Sequence, residues 1–200
     1  MKLTSRAHLE GFSYRPRMDD ELLAEHHEGL IATSGCAASL ISQLILNNKK
    51  DEAIEKIKQY YELFEGQFYL EIQHHQGLDM VQELAAEMAK LSRQLGIPLV
   101  ATNDVHYVFK EDFEAHKILI RINTNKDDDG DLHYTGNEYL KSYDEMLSLF
   151  PDNPEALANT VEIADKIEEF SIEHEVMLPV FPTPQEFKSD VEYMAHLARK

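Results

Sequence analysis

The sequence lacks the features that mark a membrane protein or a secreted, disulfide-bonded protein. Its 200 residues include a single cysteine, which excludes an internal disulfide framework and favours a reducing compartment. No apolar run approaches the roughly 20 residues that span a bilayer, and residues 1–6 lack the apolar stretch of a signal peptide. We therefore expect a cytoplasmic protein with no membrane partner.

Positive charge is also scarce. The 19 lysines and arginines face 37 aspartates and glutamates, so the formal net charge is −18 with neutral histidines. Protonating all 10 histidines would still leave the chain acidic. A field of this sign repels phosphate backbones, so we expect DNA to be bound only through other domains. The same excess of acids also keeps a protein soluble, which needs no functional explanation.

Several catalytic signatures are missing. The sequence has no glycine-rich phosphate loop, no GxSxG elbow, no HExxH and no second cysteine for a zinc ribbon. We also find no clear carboxylate cluster of the kind that holds two Mg²⁺ ions in polymerases. The chain alone is therefore expected to carry no catalytic residues for nucleotidyl transfer.

What the sequence does contain is an alternation of short apolar runs and longer helical patterns. Hydrophobic residues make up 43% and charged residues 28%, a composition typical of a globular domain with a core. Strands are predicted at 29–35, 67–73, 99–104 and 138–142, and helices at 37–46, 51–64, 79–95, 111–121, 142–150, 154–169 and after Ser189. Ser142 with Glu145 and Ser189 with Glu192 predict capping boxes, and Asn153 with Pro154 predicts a capped helix start. Strands separated by helices predict an α/β fold with a mainly parallel sheet and outer helices, as a barrel or an open layer.

Residues 178–184 contain three prolines and predict an extended connector. About sixteen residues follow it, too few for a domain, so we expect the protein to continue beyond them.

Asp104 and His106 are the first candidates for chemistry. They follow a predicted strand, on which residues two apart project the same way. A carboxylate and an imidazole at the carboxyl end of a parallel strand suit Zn, Mn or Fe. The alternative is a surface loop in which the aspartate caps a turn and the histidine is solvated.

Cys36 is the second candidate. It follows another predicted strand through Gly35 and opens the predicted helix, where amide donors favour a thiolate. This position suits a metal ligand or a reactive thiol, and the alternative, which the sequence alone favours, is a small buried residue packed under a turn. If the strands share one sheet, Cys36 meets Asp104 and His106 at one rim.

Other patterns are weaker. His75 ends a predicted strand and could join the same rim. Residues 127–131 with Glu138 imitate part of a calcium loop, but Leu132 replaces the required glycine, so a solvated acidic loop is the better interpretation.

A colinear series of segments resembles one family over nearly all of the chain. It resembles the PHP domain of the bacterial DNA polymerase III alpha subunit. The matching segments are AHLEGFSYRPR (7–17), EGLIATSGC (28–36), FYLEIQ (68–73), PLVATNDVHY (98–107), YLKS (139–142), EM (145–146), LF (149–150), PEALANT (154–160) and LPVFP (178–182).

The resemblance implies part of a distorted seven-stranded, TIM-like βα barrel whose rim carries up to three metal ions. Cys36, Asp104 and His106 match metal ligands of the family, which implies a divalent metal (Zn, Mn or Fe) at a partial site. The family's opening His-x-His segment and most other ligands would precede Ser5. After Cys36, Ser39 and Leu40 stand where the family often has Gly-Glu, and the polymerase palm would follow Lys200.

By this resemblance, residues 1–178 are the C-terminal portion of a PHP domain and 179–200 are the connector to the polymerase domain. The implied function is a module of a replicative DNA polymerase, a nucleotidyltransferase, with a site related to 3′–5′ exonuclease or phosphoesterase activity. The implied partners are the rest of the alpha subunit and replicase subunits such as the exonuclease subunit. A stand-alone metal-dependent phosphoesterase and a purely structural module stay open as alternatives, and missing strands would favour self-association.

Overall fold

The computed structural model describes residues 1–124, 134–173, 175 and 182–199. These residues form two compact units, Met1–Ile167 and Glu168–Lys200. The acidic stretch 127–131 lies outside the described residues, as does most of the proline-rich connector, so the boundary near 178 stays a prediction. Of the helices described, none is both long and apolar enough to cross a membrane.

Helices and strands alternate through the first unit, and one helix belongs to the second. The first unit contains α1 (Lys2–Leu9), α2 (Asp20–Glu25), β1 (Ala32–Thr33), α3 (Leu40–Leu46), α4 (Lys50–Leu63), β2 (Phe68–Ile72), α5 (Asp79–Leu95), β3 (Leu99–Ala101), a 3₁₀ turn (Lys110–Asp112), α6 (Phe113–Thr124), α7 (Tyr143–Leu149) and α8 (Pro154–Asp165). The second contains α9 (Asp190–Ala198). The sequence patterns did not predict α1 and α2.

The strands form one parallel sheet in the order β1-β2-β3. Ala32 lies opposite Phe68, and Leu70 lies opposite Leu99. The predicted α/β class with a parallel sheet is therefore confirmed, and the described residues place three strands in that sheet.

The core lies between β2 and the helices that cover it. Leu70 and Ile72 are at most 1% exposed, and Met88 and Leu91 of α5 are fully buried in the same cluster. Tyr69, on the opposite side of β2, is also buried. Its buried hydroxyl is satisfied beside α8, because it accepts a 2.6 Å hydrogen bond from Lys166 Nζ and donates to Glu162.

Local signals fixed α5 at its predicted bounds, Asp79–Leu95. Val81, Leu84, Met88 and Leu91 are buried along one stripe, which is the amphipathic pattern of a helix packed on a sheet. Gly96 then adopts φ +68 and its N–H bonds to Ser92 O, a left-handed cap that favours glycine.

Helix α8 covers the outer edge of β3. Asn159 Nδ2 donates a 2.7 Å hydrogen bond to the Leu99 carbonyl oxygen, so a polar group of the edge strand is paired with a side chain. Pro154 occupies the first turn as predicted, but the Asn153 side chain makes no capping hydrogen bond and the helix ends at Asp165 rather than near Glu169.

The capping box predicted at Ser142 is confirmed. Ser142 Oγ accepts from the Glu145 N–H, and the Glu145 carboxylate accepts from the Ser142 N–H at 2.8 Å. The strand predicted over 138–142 is wrong, since this stretch contributes a single parallel bridge between Tyr107 and Tyr139.

The second capping box, predicted at the start of α9, is half formed. Ser189 Oγ accepts from the Glu192 N–H, but the Glu192 carboxylate accepts from the Lys188 N–H instead of reaching Ser189.

Candidate functional site

Polar side chains gather where the three strands end. The Glu71 carboxylate accepts hydrogen bonds from Thr33 Oγ1 at 2.6 Å, Thr102 Oγ1 at 2.5 Å and Gln73 Nε2 at 2.8 Å. These side chains come from or directly follow β1, β2 and β3. One carboxylate therefore joins all three strands at the carboxyl edge of the sheet.

Asp104 lies between two imidazoles at the same edge. Its Oδ1 is 3.3 Å from His106 Nε2, and its Oδ2 is 3.5 Å from His75 Nε2. The His75 side chain is only 14% exposed, whereas the Asp104 side chain is 41% exposed. His75 Nε2 also lies 3.4 Å from Gln73 Oε1, which connects the imidazole to the Glu71 network.

The structure brings Asp104 and His106 together, but not by the predicted geometry. Strand β3 ends at Ala101, and Asp104 adopts φ +50, so the two residues do not alternate along a strand. The Asn103 side chain turns the chain out of the sheet by donating from Nδ2 to Tyr139 O at 2.6 Å. The carboxylate and imidazole meet across this turn.

Aromatic side chains surround His106. The Tyr134 hydroxyl is 3.4 Å from His106 Nδ1, and the two ring centroids are 4.7 Å apart. The His116 ring is 5.8 Å from that of His106. Burial, together with the negative charge of Asp104, raises the pKa of Tyr134, so its hydroxyl stays protonated near neutral pH.

Cys36 does not occupy the helix start that the sequence predicted. Helix α3 begins at Leu40, because Ser39 Oγ accepts from the Ser42 N–H and caps the helix there. Cys36 instead lies exposed in a turn closed by a hydrogen bond from Ser39 N to its carbonyl oxygen. It lines a small cavity with Glu71 and Gln73, on the β2 side of the rim.

These positions decide how well the residues fit a metal. Asp104 and His106 offer the carboxylate and imidazole donors that Zn, Mn and Fe use. Across the described part of the chain, however, no three His, Cys, Asp or Glu side chains are close enough to hold one ion. The described residues thus provide a partial donor set, and no reaction step through a metal follows from them.

A buried carboxylate, which the sequence offered only as the end of a partial calcium loop, supports this edge of the sheet. Glu138 is 2% exposed. It accepts hydrogen bonds from Thr135 N and Oγ1, Gly136 N and Asn137 N at 2.8–3.0 Å. Burial disfavours its charge, but the bonds from Thr135 and its neighbours outweigh burial and lower the pKa of Glu138.

Its main chain supports the site as well, since Glu138 O accepts from the His106 N–H at 2.8 Å. The sequence pattern at Glu138, a partial calcium loop interpreted as solvated, did not predict this burial.

The chain also contains an open groove of about 740 Å³ near the amino ends of β1 and β2. Leu30, Ile31, Phe64, Ile163 and Ile167 contribute to its lining. Of the residues at the polar edge of the sheet, Thr33 lines this groove, whereas Cys36, Asp104 and His106 do not.

Comparisons with known proteins point to one family. Residues 1–75 match the family described as the PHP domain. The chain is 45% identical to the DNA polymerase III subunit alpha of Borreliella burgdorferi over 98% of its own length. The corresponding subunits of Treponema pallidum and Thermus aquaticus are 43% and 37% identical over 100% and 98% of the chain.

In each of these three relatives the match spans only 17% of the relative's length. The resemblance seen in the sequence is thereby confirmed: the chain is a homologue of a PHP-domain-containing segment of bacterial DNA polymerase III alpha subunits.

Proposed function

We propose that this chain forms the PHP portion of a replicative DNA polymerase III alpha subunit, working in the cytoplasm. The observation that carries the proposal is an identity of 45% sustained over 98% of the chain. In this role the module supports the polymerase core and the exonuclease subunit and contributes no residue to nucleotidyl transfer. Its net charge of −18 supports this division, because DNA is then bound by other domains.

The sheet would be part of the larger seven-stranded barrel in the complete subunit. Its parallel register and the gathering of polar groups at one edge support this proposal. Asp104 and His106 would contribute two ligands for a divalent metal (Zn, Mn or Fe), in a site related to 3′–5′ exonuclease or phosphoesterase activity. Cys36, at the exit of β1, is the third residue proposed as a ligand, although the described residues do not place it with Asp104 and His106 around one ion.

One observation favours a second candidate, a purely structural module. Glu71 already receives three hydrogen bonds from its neighbours, and Asp104 is flanked by two imidazoles. The rim is therefore well satisfied by its own side chains, without an ion.

The experiment that tests the main proposal is a chimaera. The matching segment of the Borreliella burgdorferi subunit is replaced by this chain, and primer extension is measured on the purified protein. We expect extension to be retained in the chimaera and in its Asp104→Asn form, because the segment supports the polymerase without carrying its site. A soluble chimaera without extension would contradict the proposal.

Metal titration separates the two candidates. A ligand bound only by the folded chain raises its melting temperature, so Zn²⁺ or Mn²⁺ should stabilise the parent chain and not the Asp104→Asn form. Equal melting temperatures with metal and with chelator, in both chains, would favour the structural module. Sedimentation of the same samples tests the proposed self-association.

A further inference from the structure

Lys141 is a half-buried cation with an unusual set of partners. Within the described residues, no carboxylate oxygen lies within ion-pair distance of its ammonium group. Burial lowers the pKa of Lys141, and the more distant negative charges of Glu138 and Glu145 only partly oppose this effect. Desolvating a cation that has no carboxylate in contact is costly unless it is hydrogen-bonded.

The ammonium group binds neutral oxygens instead. Lys141 Nζ donates to Asn103 Oδ1 at 2.8 Å and to the carbonyl oxygen of Asn137. It also lies 4.5 Å from the centroid of the Tyr139 ring, within cation–π range. These contacts tie the chain after β3 to the segment that precedes α7.

Asn103 is consequently held at both ends of its amide. Its oxygen accepts from Lys141, and its nitrogen donates to the Tyr139 carbonyl oxygen at 2.6 Å. The amide therefore has no freedom to flip or swing without breaking a hydrogen bond. Asn103 directly precedes Asp104, so these two hydrogen bonds also restrict the backbone immediately before Asp104.

Asp104 adopts φ +50, a left-handed conformation that side chains other than glycine seldom take. Aspartate tolerates it better than most residues, but the conformation still needs support from its surroundings. In this conformation the carboxylate reaches both His75 and His106. On the preceding residue, Asn103, this support is the hydrogen bond that Lys141 donates to the side-chain amide.

We propose that Lys141 is a positioning residue: by holding the Asn103 amide, it fixes the left-handed turn that places the Asp104 carboxylate between His75 and His106. The inference rests on the proposed function only in treating this carboxylate as functional. Lys141 touches neither imidazole in this role and acts entirely through Asn103.

The test follows the histidine side chains in the purified 200-residue chain. Long-range ¹H–¹⁵N spectra of histidine-labelled protein are recorded at one fixed pH for the parent and for Lys141→Met. We expect the imidazole signals of His75 and His106 to shift together, while that of His8, in α1, stays in place. Lys141→Arg, which keeps the charge and the donors, should bring both signals part of the way back.

A matched control is Lys110→Met. Lys110 is exposed and its ammonium lies 5.8 Å from the same Tyr139 ring, but it makes no hydrogen bond to Asn103. Its loss should leave both imidazole signals unchanged. Unshifted signals in Lys141→Met, or equal shifts in Lys110→Met, would overturn the proposal.

Asn103→Ala provides an independent variant in case Lys141→Met does not fold. It should shift the same two signals, and adding Lys141→Met to it should shift them no further; shifts that add up would refute an action through Asn103. Melting curves with Mn²⁺ on the parent chain run in parallel. If Mn²⁺ leaves the melting temperature unchanged, the metal role fails, while the spectra still decide the positioning role.

Discussion

Two parts of the first unit are stabilised by different interactions, one chiefly by apolar burial and the other by hydrogen bonds to a buried carboxylate. The sheet core, defined as β2, β3 and α5, buries aliphatic side chains such as Leu70, Met88 and Leu99 at no more than 2% exposure. The rim segment, defined as the described residues from Thr102 to Ser142, buries the carboxylate of Glu138 as well as the hydrophobic side chains of Tyr107 and Ile120. It leaves Phe109 and Ile122 66% and 71% exposed.

The two parts should therefore lose stability under different conditions. Apolar burial is nondirectional and independent of pH, whereas hydrogen bonds to one carboxylate depend on geometry and on ionisation. The rim segment should therefore open locally while the sheet core stays folded. The rim segment contains both Asp104 and His106. The candidate site should therefore share its lower local stability.

The largest expected effect is in the sheet core. Leu70→Ala should reduce the free energy of unfolding by about 2–5 kcal/mol, because the residue is fully buried and its loss leaves a cavity. Urea denaturation followed by circular dichroism measures the change. A loss below about 1 kcal/mol would show that the core collapses around the cavity and is not tightly packed.

The second-largest loss of stability is expected in the rim segment. Glu138→Ala leaves the N–H groups of Thr135, Gly136 and Asn137 without their acceptor, at a cost of about 1–3 kcal/mol. Amide hydrogen exchange should accelerate around Thr135 and His106 and stay slow in β2. Uniform acceleration throughout the chain would mean that the two parts unfold as one.

Acid should have the same local effect as Glu138→Ala. The pKa of Glu138 is lower in the folded state, so its contribution is complete above the unfolded value of about 4.3 and is lost as pH falls through the folded value. Exchange in the rim segment of the parent chain should thus rise in acid before that of the sheet core. The Glu138→Ala chain should lack this pH dependence.

A smaller effect is expected at the start of α7. Ser142→Ala removes the hydroxyl that caps the helix and should cost about 1 kcal/mol. Hydrogen bonds from Ser142 and Tyr139 lower the pKa of Glu145, the other half of the box, to about 2. The contribution of Glu145 to the helix cap should therefore be lost only as the pH falls towards about 2, which hydrogen exchange in α7 can measure.

The smallest loss of stability is expected when a surface charge on the sheet core is removed. Glu87 of α5 pairs with Lys50 and Lys90, and exposed pairs of this kind contribute about 0–1 kcal/mol. Glu87→Gln should scarcely change the urea midpoint. A loss as large as that of Glu138→Ala would contradict the idea that charge matters chiefly in the rim segment.

The sequence predicted the sheet core best because its signals are local. The apolar period of α5 and the glycine after it determine that helix without help from distant residues. The same holds for the Ser142 capping box. Helix α2 was missed, although Asp19 caps it, because six residues carry too short a period to be recognised.

The candidate site was predicted less well because it depends on contacts between distant residues. Asp104 and His106 were found as a pair, but their turn depends on Tyr139 and Lys141, more than thirty residues away. His75 was only a weaker candidate, because its approach to Asp104 follows from the β2–β3 register, which the sequence does not show. Glu138 was predicted only as part of a solvated acidic loop, because burial of a carboxylate is a tertiary property.

The two edge strands of the sheet differ in how freely their backbone groups can pair with a further strand. Asn159 occupies a backbone acceptor on the free side of β3, and α8 packs against that strand. Strand β1 pairs on one side only within the described residues, with the open groove beside it. A further strand, from the same molecule or another, can thus pair with β1 without displacing a helix. A strand added at β3 would first have to displace the Asn159 side chain and α8.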